Sequence, residues 1–206
     1  PGFFEKSMNL LAKHPEAGLC TAFHVVIDEN GEEHFPGDCR SPSMLNEPPH
    51  ITNVSRYFSP DEALQAYMER GWWLPAPPVI WRKEAVKDVG AYTMEAGSYI
   101  DAFSIYLVAL NYGACLIPEP LVRVNLGPNR FSSEFTTVPE KYLELIGPMS
   151  KLMTGKYVDK FPKEFVEDLK KKDLYSYSII ALNKIKSAQD KSLEYFKYAL
   201  EEPTAL

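Results

Sequence analysis

The spacing of apolar residues changes several times along the chain, and each change predicts an element. In "PGFFEKSMNLLAK", Phe3, Phe4, Met8, Leu10 and Leu11 recur at roughly helical spacing, and Pro15 and Gly18 in "HPEAG" forbid continuation. "LCTAFHVVID" has the β-branched and aromatic content of a buried strand. Asn30-Gly31 after it signals a turn that returns "EHF" as a hairpin. Pro36 to Ser59 reads as a long irregular loop. "SPDEALQAYMERG" is the clearest helix: Ser59 caps, Pro60 takes the first turn, Glu62 completes a capping box and Gly71 closes it. "PPVIWRK" predicts a strand and "KEAVKDVG" a short helix ending at Gly90. In "EAGSYIDAFSIYLVALNYG", Ser98 predicts a cap, with Ile100, Phe103, Leu107 and Leu110 as the buried stripe. "ACLIPEPLVRVNL" predicts a strand interrupted by prolines, and "GPNRFSS" a turn. Thr137 to Glu140 is another capping signal, after which helical periodicity runs to the end.

Composition adds a boundary. Residues 138–206 hold 12 Lys, no Arg and 11 acids, whereas residues 1–137 hold 10 basic and 17 acidic residues. This shift predicts a mixed α/β part over 1–137 and a helical C-terminal extension over 138–206. The net charge of −6 argues against a nucleic-acid binder, which needs a basic stripe. No stretch approaches the roughly 20 consecutive apolar residues of a membrane span. Cys20, Cys39 and Cys115 are odd in number and widely spaced, so they read as reduced thiols of a cytoplasmic chain and not as a disulfide framework or zinc site.

The usual catalytic signatures are missing: no G-x-S-x-G, no phosphate loop, no G-x-G-x-x-G, no H-E-x-x-H and no D-x-D. His24 lies in an apolar strand and reads as a core residue. Asp101 stands out, as a carboxylate heading an almost wholly apolar helix. It either complements the helix dipole and caps the first turn, or it serves as an acid or base at a cleft rim. Glu95 is the reserve carboxylate. Trp72, Trp73, Trp81 and Tyr92 gather around "LPAPP", where aromatic faces either pack or stack on a ligand ring.

Three segments, taken in order, resemble the second half of the inverting family 2 glycosyltransferases. Val89-Gly90-Ala91-Tyr92 stand for that family's "VGGF", after a strand ending in Arg82. Ile117-Pro118-Glu119-Pro120-Leu121-Val122-Arg123 are similar to its later strand, and "PGFFEK…VVIDENGE" to the helix and strand that follow its D-x-D. The resemblance covers about residues 1–133 and implies a partial GT-A fold, a Rossmann-like mixed sheet of the nucleotide-diphospho-sugar transferases. Counting from Val89 without a gap, Asp101 falls on the aspartate that acts as general base. Trp81, Arg82, Tyr92 and Glu95 are implied as acceptor contacts, and Asn125, Asn129 and Arg130 as diphosphate or loop contacts. Two positions depart from the pattern: Ile100 replaces the glutamate of the acidic pair, and Gly127 replaces a metal-binding histidine. No metal ligand is therefore expected in this chain, while a divalent cation, Mg or Mn, is expected in the full-length enzyme. The implied partners are a nucleotide-sugar donor and a hydroxyl acceptor. The nucleotide-binding half is expected upstream of Pro1, so the chain alone is expected to be inactive. Attachment to the inner face of a membrane and a homo-oligomer through the C-terminal helices stay open. The alternative is a non-catalytic glycosyltransferase-like binding or oligomerisation module.

Overall fold

A computed structural model of the chain describes residues 2–27, 30–34, 52–125 and 138–187. Helix α1 (Phe3–Lys13) leads into strand β1 (Leu19–Ile27), and β2 (Glu33–His34) folds back on the end of β1. Strand β3 (Arg56–Phe58) precedes α2 (Pro60–Arg70), β4 (Val79–Trp81) and α3 (Lys83–Val89). A 3-10 turn (Met94–Tyr99) enters α4 (Ile100–Tyr112), which hands over to β5 (Ala114–Asn125). Two helices follow, α5 (Pro139–Thr154) and α6 (Lys163–Ser187).

The five strands make one mixed sheet. β1 and β5 pair in parallel along their whole length, and β3 extends the sheet antiparallel to β5. On the other edge of β1, β2 pairs near its end and β4 near its start, both antiparallel. No strand among the described residues pairs with the far edge of β4.

Alternation along β1 and β5 gives the sheet two buried faces, as expected of a parallel pair covered on both sides. Leu19, Ala114 and Leu116 point into a large core with α2, α4, α5 and α6. Cys20, Cys115 and Ile117 point the other way, onto Leu11 and Ala17 of the α1 region. Cys20 and Cys115 are directly opposite in register, buried and unpaired as thiols; burial pushes them up to about 11 and about 12 respectively. Cys39 lies outside the described residues.

β5 is one strand despite its prolines. The register shifts between Ala22 and His24, opposite Pro118-Glu119-Pro120, so a bulge absorbs residues that cannot complete the ladder. α4 is buried from Phe103 to Leu110 on every side, where the sequence predicts a stripe. It lies between the sheet and the other helices, which leaves no face for water. The two C-terminal helices and the turn between them enter that same core: Met149, Leu152, Met153, Tyr157, Phe161, Phe165 and Leu169 join Phe103 and Tyr106. None of the helices in the described residues is long and apolar enough to cross a membrane.

Candidate functional site

The segment between α3 and α4 forms the site. Gly90 ends α3 at φ 68°, and the next turn holds Tyr92 at φ 61°, the one non-glycine left-handed residue among those described. The Tyr92 amide donates to the Ser104 hydroxyl at 2.9 Å, and the residue stays 45% exposed. Trp81, at the end of β4, meets that ring edge to face, with centroids 5.2 Å apart and planes at 76°. Burial pushes the Tyr92 phenol up; a hydrogen bond with Trp81 opposes this, and the charge of Asp101 adds to it.

Asp101 is exposed on the first turn of α4. Its Oδ1 accepts from the Ala102 amide at 2.7 Å, and no cation among the described residues pairs with it. The predicted cap differs. Residues 94–99 wind as a 3-10 turn with Gly97 at φ 61°, so α4 starts at Ile100 behind Tyr99, with no side-chain cap. Ser98 is spent inside that turn, and Asp101 reaches forward, not back. Similarly α5 begins behind Val138 without a side-chain cap, and Thr137 lies outside the described residues.

The other candidates separate. Glu95 is exposed on the 3-10 turn and ion-paired to Lys156 at 3.1 Å. Arg82 follows Trp81 directly but turns its guanidinium away. Its Nε donates to the Ala17 carbonyl at 2.8 Å, and an Nη donates to Leu11 at 3.0 Å and His14 at 3.4 Å. It thereby satisfies carbonyls where α1 ends. Trp73 is core: it packs on Phe58 and donates to the Ala63 carbonyl at 3.3 Å. Trp72 packs against Tyr67 and Tyr106. Asn125 is exposed at the end of β5 opposite Ile27, and Asn129 and Arg130 lie outside the described residues. The geometry thus brings together Trp81, Tyr92 and Asp101. Ser104 completes the set, and its only trace in the sequence is one hydroxyl inside "AFSIYLVAL".

No group of three or more His, Cys, Asp and Glu suited to a metal lies among the described residues. Asp101 alone does not make a cation site. What the arrangement offers is an accessible carboxylate at a helix N-terminus, where the dipole favours its charge, beside a two-ring aromatic corner.

A second surface adjoins the corner. Phe4 and Met8 of α1 are 74% and 57% exposed. Met8, Leu11, Ile80, Trp81 and Arg82 line a groove of about 280 Å³ between α1 and β4, next to the margin of that strand left unpaired among the described residues. No family model, no curated protein and no solved structure matches the chain.

Proposed function

We propose that the chain is the acceptor-side half of an inverting GT-A glycosyltransferase of family 2. The observation that carries this reading is Asp101, an exposed carboxylate that no cation among the described residues pairs with, placed beside the Trp81–Tyr92 corner. In the proposed reaction the acceptor hydroxyl attacks the anomeric carbon of a nucleotide-sugar. Asp101 takes the hydroxyl proton, and the bond to the nucleotide diphosphate breaks with its electron pair leaving on the diphosphate. The acceptor's sugar or hydroxyl-bearing group rests on the aromatic corner. On this reading the donor site, a D-x-D and a divalent cation would come from a nucleotide-binding half distinct from the described residues. The margin of β4 that no described strand pairs with, and the exposed Phe4 and Met8, support this, since an open strand edge beside apolar side chains is a surface suited to cover by another layer.

The test uses a longer chain that includes the upstream segment. Asp101→Asn is expected to lower turnover by about 10²–10⁴-fold with donor affinity retained. The 206-residue chain alone is expected to give no heat of nucleotide-sugar binding in calorimetry. Metal-dependent tight binding by the isolated chain, or full turnover by the Asn variant, overturns the reading. The second reading is a non-catalytic module of the same fold. Ile100, standing where an acid would flank Asp101, favours it, and an upstream-extended chain that binds donor but never turns over would select it.

A further inference from the structure

We infer that Ser104 is a positioning residue: from inside α4 it locks Tyr92 in the left-handed conformation and so sets the Tyr92 ring against Trp81 at the rim where Asp101 sits. Three observations meet here. Ser104 is fully buried in a helix whose run from Phe103 to Leu110 holds only one other polar group, the Tyr106 hydroxyl, which has its own partners, so this is a costly place for a hydroxyl without a task. Its oxygen accepts a hydrogen bond from the amide of Tyr92, 12 residues earlier, at 2.9 Å. Tyr92 holds φ 61°, which a bulky side chain rarely adopts and a glycine accepts freely.

Burial does not repay that strain: the residue is 45% exposed, and its ring meets Trp81 edge to face with a hydrogen bond between the two side chains. Strained backbone that packing does not explain marks a position kept for what its side chain meets. Gly90 two residues earlier and Gly97 five residues later both have positive φ, so the loop uses glycine where only the turn matters. A tyrosine at 92 supplies a flat, polar-tipped face in a fixed orientation, perpendicular to the indole. Resting on the acceptor-site reading above, the class of ligand such a corner takes is a pyranose ring, with C–H groups on the aromatic faces and hydroxyls toward Asp101.

The test has two arms on the isolated chain. The first follows amide exchange by NMR in wild type, Ser104→Ala and Ser104→Thr. Loss of the hydroxyl is expected to speed exchange at the Tyr92 amide about five- to tenfold, while the α4 amides beyond Phe103 hold their rates and the threonine variant restores protection. Equal Tyr92 exchange in wild type and Ser104→Ala overturns the proposal. The second arm titrates α- and β-linked glucose tetrasaccharides while following tryptophan fluorescence, with Tyr92→Gly as a variant that fits the backbone conformation and removes the ring. A saturable signal in wild type, weakened in Ser104→Ala and abolished in Tyr92→Gly at an unchanged melting temperature, supports both the lock and the acceptor site. A first arm that behaves as expected beside a second arm with no saccharide response keeps the positioning role and overturns the acceptor reading.

Discussion

At the scale of single residues, Asp173 makes the sharpest prediction. It sits in α6 with 6% exposure, and its Oδ1 accepts a hydrogen bond from the Tyr142 hydroxyl of α5 at 3.1 Å. Burial pushes the carboxyl up to about 7, against the pull of that hydrogen bond. Its charge in turn helps raise the phenols of Tyr67, Tyr99 and Tyr142, behind burial in each case. The unfolded carboxyl titrates near 3.9, so between those values the folded chain holds a proton the unfolded chain has released. The contribution is fully present below about pH 4 and is lost as pH rises toward 7, a change of about 4 kcal/mol. Asp173→Asn keeps an acceptor for Tyr142 and removes the ionisation. Denaturant unfolding is expected to lose the fall in stability that Asp173 imposes across that window and to give a more stable chain at pH 8 than wild type; an unchanged slope would refute the assignment. Sequence reasoning reached Asp101 because an exposed charge heading an apolar run is visible locally. It did not reach Asp173 or the task of Arg82, whose carbonyl partners lie 65 to 71 residues earlier, since burial and long-range partners have no local signature.

Among the elements, what was legible was whatever the backbone decides within a few residues. The box at α2 forms as read: the Glu62 amide meets the Ser59 hydroxyl at 3.2 Å and the Glu62 carboxylate returns to the Ser59 amide at 2.9 Å. Gly90 stops α3, and α1 ends at Lys13 ahead of Pro15. The 3-10 turn before α4 was missed because its cause is tertiary: Tyr92 is tied back to Ser104, and Lys156 reaches Glu95. The prolines of β5 misled similarly, since a bulge accommodates them without ending the strand. The junction of α4 and β5 is the element-scale weak point. Gly113 has φ 76°, and a Cβ there would lie 2.4 Å from the Phe58 carbonyl oxygen, on the neighbouring strand β3. Gly113→Ala is therefore expected to cost well above about 1 kcal/mol, through backbone strain and displacement of β3 together. Thermal unfolding within experimental error of wild type would show that the junction yields.

Across the whole molecule, the change of composition near residue 137 and the packing do not follow the same line. The described elements after 138 are all helices, yet α5 and α6 supply five side chains, and the link between them two more, to the cluster around α4. At about 1.5–3 kcal/mol for each large apolar side chain buried, that share rivals the whole 5–15 kcal/mol stability of a typical domain. A chain cut after residue 137 is expected to lose cooperative thermal unfolding and to bind a dye for exposed apolar surface; a sharp transition at the wild-type midpoint would establish an independent core. The opposite face of the sheet is lighter, since among the described residues α1 is the helix that seals it, and beneath α1 the two facing cysteines, Cys20 and Cys115, wait protonated. Alkylating reagents attack thiolates, so at neutral pH these sulfurs are silent while the helix stays down. With Cys39 replaced by serine, the slow rate of alkylation becomes a clock for how often α1 lifts from the sheet.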